Sequence, residues 1–502
     1  MQTDKIKISM FHLSYSGSNN FHLYHAAPDE IKQKYTIELL TKEQAEGNRY
    51  LDDSDVYITT HGEYFSKFDK INVDLWHGFP LKGIAKMDPQ EKLEDEEIHH
   101  HWSKVDLVMS YSAMYNTALN ACNGSNISKY RITGMPRNDA LFDEGSRNNL
   151  KRLYPALKEQ DHVIFFMPTF RRSINTPDKH EGNKLMDNLF GLPDYDRDAL
   201  LGFLEQHRIT LVVKLHPFEE SYYVEELDKL QSGRIFVLND AMLADTNLDL
   251  YHVLGSADQL LTDYSSVYID YLLVDRPVVF LPTDLEAYKE TRGFLFEPYD
   301  FWAPGPKVLT QSDMLAAIHR FMLEPTWYGK ERETIRNICH YYQDRSASAR
   351  IWSVLDNYIQ DNLELIYKRR EEQEQCIWNR RQQKQSIQML LERNQLLKAN
   401  DALQQYLQIN PVDSDIFAMY GMMYLLNGNA DEAIRTFTRG ITHFPWDEDL
   451  FYNLGYVHET QGNLQQARDN YQKALRLSTK PELTLLLQNK LASLPDSEGS
   501  SI

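Results

Sequence analysis

Four short segments carry side chains able to handle a phosphate, and each follows an apolar run that reads as a buried strand. In Asp74-Leu75-Trp76-His77-Gly78-Phe79-Pro80-Leu81-Lys82-Gly83, an imidazole stands at a strand end beside a glycine, where a substrate can approach backbone closely. A packed or capped histidine explains that segment better when it is taken alone, and Pro80 and Lys82, a rigid turn and a cation, shift the balance only modestly. Met167-Pro168-Thr169-Phe170-Arg171-Arg172 offers two guanidinium groups suited to bidentate phosphate contact, although loop arginines are commonly idle. In Val213-Lys214-Leu215-His216-Pro217, Lys214 and His216 alternate with apolar residues, so in a strand both would point to one side until Pro217 ends the ladder. Leu260-Leu261-Thr262-Asp263-Tyr264-Ser265-Ser266 runs from a strand through a polar turn into a helix. There backbone N–H groups and hydroxyls can hold a diphosphate, or Ser and Asp can serve as plain caps.

The elements that must position these segments alternate between strand-like and helical patterns from about residue 5 to 285, as parallel α/β units do. Strands are expected at Val56 to Thr60, Val73 to Trp76, Val105 to Ser110, Val163 to Met167, Leu211 to Leu215, Gln259 to Thr262 and Val278 to Leu281. The polar stretch Asp143 to Asn149 divides them into two Rossmann-like halves, residues 1–145 and 150–350, with a cleft between, where open α/β sheets bind ligands at strand ends. Residues 353–394 lack Pro and Gly and are crowded with charge, which predicts a helical linker whose basic runs read as a solvated face rather than a lipid contact. Across residues 380–481, Ala399, Ala433 and Ala467 recur at the 34-residue period of the tetratricopeptide repeat, as do Gly421 and Gly455. Residues 495–502 read as a disordered tail.

Composition narrows the function. The 502-residue chain has 53 Lys plus Arg against 73 Asp plus Glu, a net charge of −20 that repels nucleic acid. Three scattered cysteines exclude a disulfide framework. The residues from Met1 to Ile6 lack the pattern of a signal peptide, and no run approaches the apolar length of a membrane span, so a cytoplasmic protein touching the inner face of the membrane only peripherally is expected. The phosphate-loop, dinucleotide and zincin motifs are missing. The run His99-His100-His101 reads as a solvated helical turn, and no bound metal or cofactor is expected to be essential.

Taken together, the four segments resemble the CDP-glycerol glycerophosphotransferase family, which builds the poly(alditol phosphate) chains of teichoic acids and related capsules. The resemblance covers about residues 54 to 350. It includes Trp76-His77-Gly78-Phe79-Pro80-Leu81-Lys82, Gly134-Met135-Pro136-Arg137-Asn138-Asp139, Pro168-Thr169-Phe170-Arg171, Lys214-Leu215-His216-Pro217 and Thr262-Asp263-Tyr264-Ser265-Ser266. Asp284-Leu285-Glu286-Ala287-Tyr288, Arg292-Gly293-Phe294 and Ala303-Pro304-Gly305-Pro306 complete it; Phe79 and Phe170 stand where the family usually has Thr and Trp. It implies a GT-B-type α/β fold followed by an all-α repeat module, with the nucleotide donor held by the second half. It further implies that His77 is the general base and His216 a catalytic contact to the donor diphosphate. Arg171, Lys214, Thr262, Asp263, Ser265, Ser266 and Arg292 are then expected on the donor side, and Gly78, Lys82 and Arg137 on the acceptor side. The reaction implied moves glycerol phosphate from CDP-glycerol to a polyprenyl-linked, glycan or poly(alditol phosphate) acceptor and releases CMP. CDP-ribitol as donor, a nucleotide-sugar glycosyltransferase, and a non-catalytic scaffold working through its repeats are the alternatives. The repeats would hold a protein partner or a second copy.

Overall fold

The computed structural model describes residues 5–41, 44, 54–61, 67, 69–171, 181–184, 188–217, 219–230, 232–410, 413–478 and 480–495. Arg172 and residues 496–502 of the expected tail lie outside them. The chain forms two compact units, Met1–Ile366 and Tyr367–Ile502.

The first unit holds two sheets in which every strand pairs in parallel. Strands β1 (Ile6–His12), β2 (Tyr35–Thr41), β3 (Val56–Thr59), β4 (Ile71–Asp74), β5 (Leu107–Ser110) and β6 (Tyr130–Ile132) assemble in the order β2-β1-β3-β4-β5-β6. Strands β7 (His162–Phe166), β8 (Ile209–Val213), β9 (Ile235–Val237), β10 (Gln259–Thr262) and β11 (Val278–Phe280) assemble in the order β11-β10-β7-β8-β9. The central strands are runs of Val, Ile, Leu and Phe buried on both faces, which is why they pair in parallel under covering helices. All seven expected strands form, with ends shifted by up to two residues, and β1, β2, β6 and β9 join them. Each sheet reverses its order beside its first strand, between β1 and β3 and between β7 and β10. Such switch points open a crevice at the carboxyl ends of the strands.

Charges buried between the halves hold them together. Arg137 and Asp270, 4% and 0% exposed, form an ion pair at 2.5 Å. Asp270 also accepts from Tyr251 Oη at 2.6 Å and Asn138 Nδ2 at 3.1 Å, while Arg137 Nη1 donates to the carbonyls of Gly17 (3.0 Å) and His77 (2.9 Å). Asp249 accepts from the backbone N–H of Gly17 and Ser18 and pairs with His22, each at 2.9 Å. Later in the chain, the helix Ala347–Asp361 returns to the first half. Its first two N–H groups donate to Asp139 at 2.8 Å, and Trp352 Nε1 donates to Leu23 O at 3.0 Å.

The second unit is a series of helical hairpins from Leu396–Ile409 to Pro481–Ser493. Its small residues sit where helices cross: a Cβ on Gly421 would lie 2.3 Å from the Phe437 ring, and one on Gly455 2.7 Å from Tyr471. Ala433, Ala467 and Ala474 are fully buried at the same crossings. The helix Leu363–Glu392 contributes Ile387 and Leu391 to the first hydrophobic cluster of this series.

Because Asp270 has no exposure to water, removing its partner leaves an uncompensated buried charge. Arg137→Met is expected to destabilise the first unit by about 3–5 kcal/mol, and Arg137→Met with Asp270→Asn by clearly less. Urea unfolding followed by tryptophan fluorescence reads both; equal losses in the single and double variants would show that the pair is not coupled.

Candidate active site

The cleft is built where the loops after β3 and β4 face those after β7, β8 and β10. After β4, Asp74 Oδ1 accepts from Trp76 N at 2.6 Å and holds Trp76 in the left-handed region, φ 48°. That sharp turn buries the indole against Trp102, at 5.6 Å, and leaves His77 open to the cleft. His77 Nδ1 lies 3.1 Å from Thr60 O. A carbonyl only accepts, so Nδ1 carries the hydrogen and Nε2 presents its lone pair. The half-buried His61 stacks on this ring at 4.4 Å and 10°. Desolvation by the surrounding protein, with His61, Arg137 and Lys82 adding to it, holds His77 well below the usual imidazole range and therefore neutral.

The other wall meets this one closely. A Cβ on Gly78 would lie 2.7 Å from Ser266 Oγ, so the two loops approach closely here. Ser266 precedes the five-residue helix Val267–Tyr271 but makes no side-chain cap bond, and both Ser265 and Ser266 are half-buried. His216 is exposed and packs on Phe170 at 4.7 Å, and Lys82 Nζ lies 5.6 Å over the same ring. Desolvation by the loops around it lowers His216 to about 4, with Lys82 and Lys214 acting in the same direction. Lys82 is held in place by an antiparallel bridge to Phe294 and lies 3.9 Å from Glu181. His77, Gly78, Lys82, His216, Ser265 and Ser266 thus share one cleft.

The remaining expected site residues stand behind its walls. Arg171 is buried, and its donors go to Asp284 (Nε and Nη2, both 2.8 Å), Asp263 (2.9 Å) and Thr169 O (2.7 Å) between the rings of Tyr264 and Tyr288. Asp263 also accepts from Thr169 N and Tyr264 N, and Thr262 Oγ1 donates to Met167 O at 2.7 Å. Strand β8 stops at Val213, so Lys214 and His216 lie in the loop beyond it and do not share a side. Lys214 turns inward to Leu215 O (2.8 Å), Glu220 (3.0 Å) and Asp240 (3.1 Å). Arg292 pairs with Asp88 and lies 3.4 Å from Glu181, and Arg137 is committed to Asp270 and two carbonyls. Phe79 is core, packed on Tyr111, Tyr115 and Phe296. The buried carboxylates Glu181, Asp270 and Asp284 and the half-buried Asp240, which hold these cations, and His61 were not read as site residues from the sequence. For His61 the signal was present: it follows β3 as His77 follows β4. His99 and His100 are exposed on their helix, and among the described residues no group of three or more His, Cys, Asp or Glu could hold a metal ion.

Comparison with known proteins adds an independent line. Residues 14–357 match the family described as CDP-glycerol:poly(glycerophosphate) glycerophosphotransferase, and residues 448–480 match the tetratricopeptide repeat. A teichoic acid poly(ribitol-phosphate) polymerase of Bacillus spizizenii is 30% identical over 264 residues, 49% of this chain and 37% of that protein. A teichoic acid poly(glycerol phosphate) polymerase of the same organism is 28% identical over 259 residues, 49% of this chain and 60% of that protein. This chain therefore spans less than two thirds of either relative. The structure of the wall teichoic acid polymerase TagF superposes with a TM-score of 0.56 at 20% identity, covering 71% of this chain and 90% of that one, which shows a common fold.

The depressed imidazoles make a prediction about acid. His61 and His252, like His216, are lowered to about 4 by burial. A group whose folded pKa lies below its unfolded value near 6.5 contributes stability above that value and loses it as pH falls toward the folded one. The thermal midpoint of the first unit should therefore drop steadily between pH 6.5 and 4. A midpoint that stays level across this window in differential scanning calorimetry would contradict neutral imidazoles.

Proposed function

The chain belongs to the CDP-glycerol:poly(glycerophosphate) glycerophosphotransferase family, and we propose that it transfers glycerol phosphate from CDP-glycerol to an acceptor hydroxyl, releasing CMP. The acceptor proposed is a polyprenyl-linked, glycan or poly(alditol phosphate) chain. What carries this reading is one geometry: a neutral, solvent-open His77 with Nδ1 on Thr60 O faces Ser266, Lys82 and His216 across a single cleft.

In the proposed step, His77 Nε2 takes the proton of the acceptor hydroxyl as its oxygen attacks the phosphorus that bears glycerol. The P–O bond to the CMP phosphate breaks and its electron pair leaves with CMP, so negative charge grows on that phosphate. Lys82, His216 and the hydroxyls of Ser265 and Ser266 are the groups placed to hold it. Arg171, Lys214 and Arg137 act one step back, fixing the loops that carry those groups. A diphosphate entering beside Lys82 offsets the cationic repulsion that helps to depress His77 and His216, so donor binding raises both pKa values and strengthens the base as it is needed. The charge is proposed to be carried by these side chains without an essential metal.

Among the described residues no helix is long and apolar enough to cross a membrane, and we propose a peripheral site at the inner face of the membrane, with the repeats holding a protein partner or a second copy. CDP-ribitol is the second donor to test, because the relatives include both ribitol- and glycerol-phosphate polymerases.

The purified chain is to be incubated with CDP-glycerol, CDP-ribitol or UDP-glucose, with and without a membrane fraction and EDTA, and nucleotide release followed. CMP from a CDP-alditol is expected, undiminished by EDTA; UDP release alone would overturn the donor. His77→Ala should lower turnover by roughly 10²–10⁴ while CDP-glycerol still binds. His216→Ala should weaken donor binding by on the order of 1.5–3 kcal/mol, the contribution of a charge-assisted hydrogen bond. Near-normal turnover in His77→Ala would remove it as base. Calorimetry in two buffers of different ionisation enthalpy should show proton uptake on CDP-glycerol binding near pH 6, and proton release would reverse the electrostatic argument.

A further inference from the structure

We infer that His61 is a positioning residue for the base: its ring lies flat against that of His77 and fixes the plane in which Nδ1 meets Thr60 O while Nε2 faces the cleft. This rests on the reading of His77 as base. Thr60 serves both imidazoles, accepting from His77 through its carbonyl and meeting His61 Nδ1 through Oγ1 at 3.0 Å. Parallel pairing of β3 and β4, with Thr59 opposite Asp74, carries Thr60 and His61 along beside the Trp76-His77 turn. A single hydrogen bond to a carbonyl leaves a ring free to rock about it. The stacked His61 at 4.4 Å, with Trp76 tilted on His77 at 4.3 Å, removes that freedom.

The stack also has an electrostatic role. The groups acting on His77 are Thr60 O, His61, Arg137 and Lys82, and only the carbonyl favours a proton there. Protons on both rings would set two cations face to face, so His61 opposes a charge on His77. The pair is thus built to carry at most one proton.

Two variants separate these roles. His61→Ala is expected to lower kcat at least about 10-fold while KM for CDP-glycerol stays within roughly twofold, because orientation of the base and not donor contact is lost. Its acid limb should move to higher pH, since His77 loses a neighbour that opposes protonation. His61→Phe keeps a flat ring and should recover most of kcat. ¹³Cε1-histidine NMR titration without donor should show the His77 pKa higher in His61→Ala than in the wild type, and it reads the stack whether or not the chain turns over. If the wild type releases no CMP, the transferase reading fails while the titration still decides the pairing. Unchanged kcat and titration in His61→Ala would overturn the inference, as would a His61→Phe variant no better than His61→Ala. Should His61→Ala fail to fold, as seen by near-UV circular dichroism, His61→Gln replaces it as the variant that removes the flat ring.

Discussion

The Arg137–Asp270 pair is the contact on which the cleft depends. Neither charge reaches water, so each must find its partners within the protein, and every partner found lies on a different segment of the first unit: Gly17, His77, Asn138, Tyr251. A buried ion pair gains little over a well-packed apolar contact once desolvation is counted. What it supplies is direction, because a guanidinium held by one carboxylate and two carbonyls tolerates few arrangements. One of those carbonyls belongs to His77, so the same cation that joins the halves also fixes the backbone from which the imidazole projects.

A similar economy appears behind the second wall. The loops after β7, β10 and β11 converge on Arg171, which bridges Asp263 and Asp284 between two tyrosine rings. Burial alone would raise the Asp284 carboxyl, yet the guanidinium and the hydrogen bond from Tyr264 hold it below the usual range, so the hub stays ionised and rigid. The charges that face the cleft are correspondingly few. Most of the charged motif residues form a scaffold, and the surface they shape presents neutral imidazoles, hydroxyls and Lys82.

The depth of this scaffold explains what could be read from sequence. Residue type and strand-end position singled out His77, Gly78, Lys82, His216, Ser265 and Ser266, which the structure brings near one another, because parallel sheets carry the carboxyl ends of their strands to one edge whatever the packing. The same cues could not tell an arginine aimed at a ligand from one aimed at a carboxylate a hundred residues away, as Arg171 is at Asp284. The inward turn of Lys214 depends on β8 ending at Val213, a boundary shift of two residues, within the usual uncertainty of strand ends. Strand β2, with Thr36 and Glu38 on an edge, and three-residue β6 and β9 carry too little apolar pattern to stand out. The repeats were legible because Gly421 and Gly455 are demanded by the ring that fills the space a Cβ would take.

A net charge of −20 and the proposed dianionic donor are compatible only if binding is local. At physiological ionic strength the Debye length is about 8 Å, so acids scattered over the surface count for little inside the cleft, while Lys82, which faces it, counts for much. Before the donor arrives Lys82 has one further effect: with desolvation, and with Arg137 acting on His77 and Lys214 on His216, it deepens the neutrality of both imidazoles. The site is therefore poised as uncharged imidazoles and hydroxyls beside one cation, Lys82, a state that suits the proposed diphosphate and makes a weak base. Filling it with the diphosphate removes the repulsion and brings the base toward neutrality in the same event, so on the proposed mechanism proton abstraction from the acceptor becomes effective only once the phosphorus it must attack is in place.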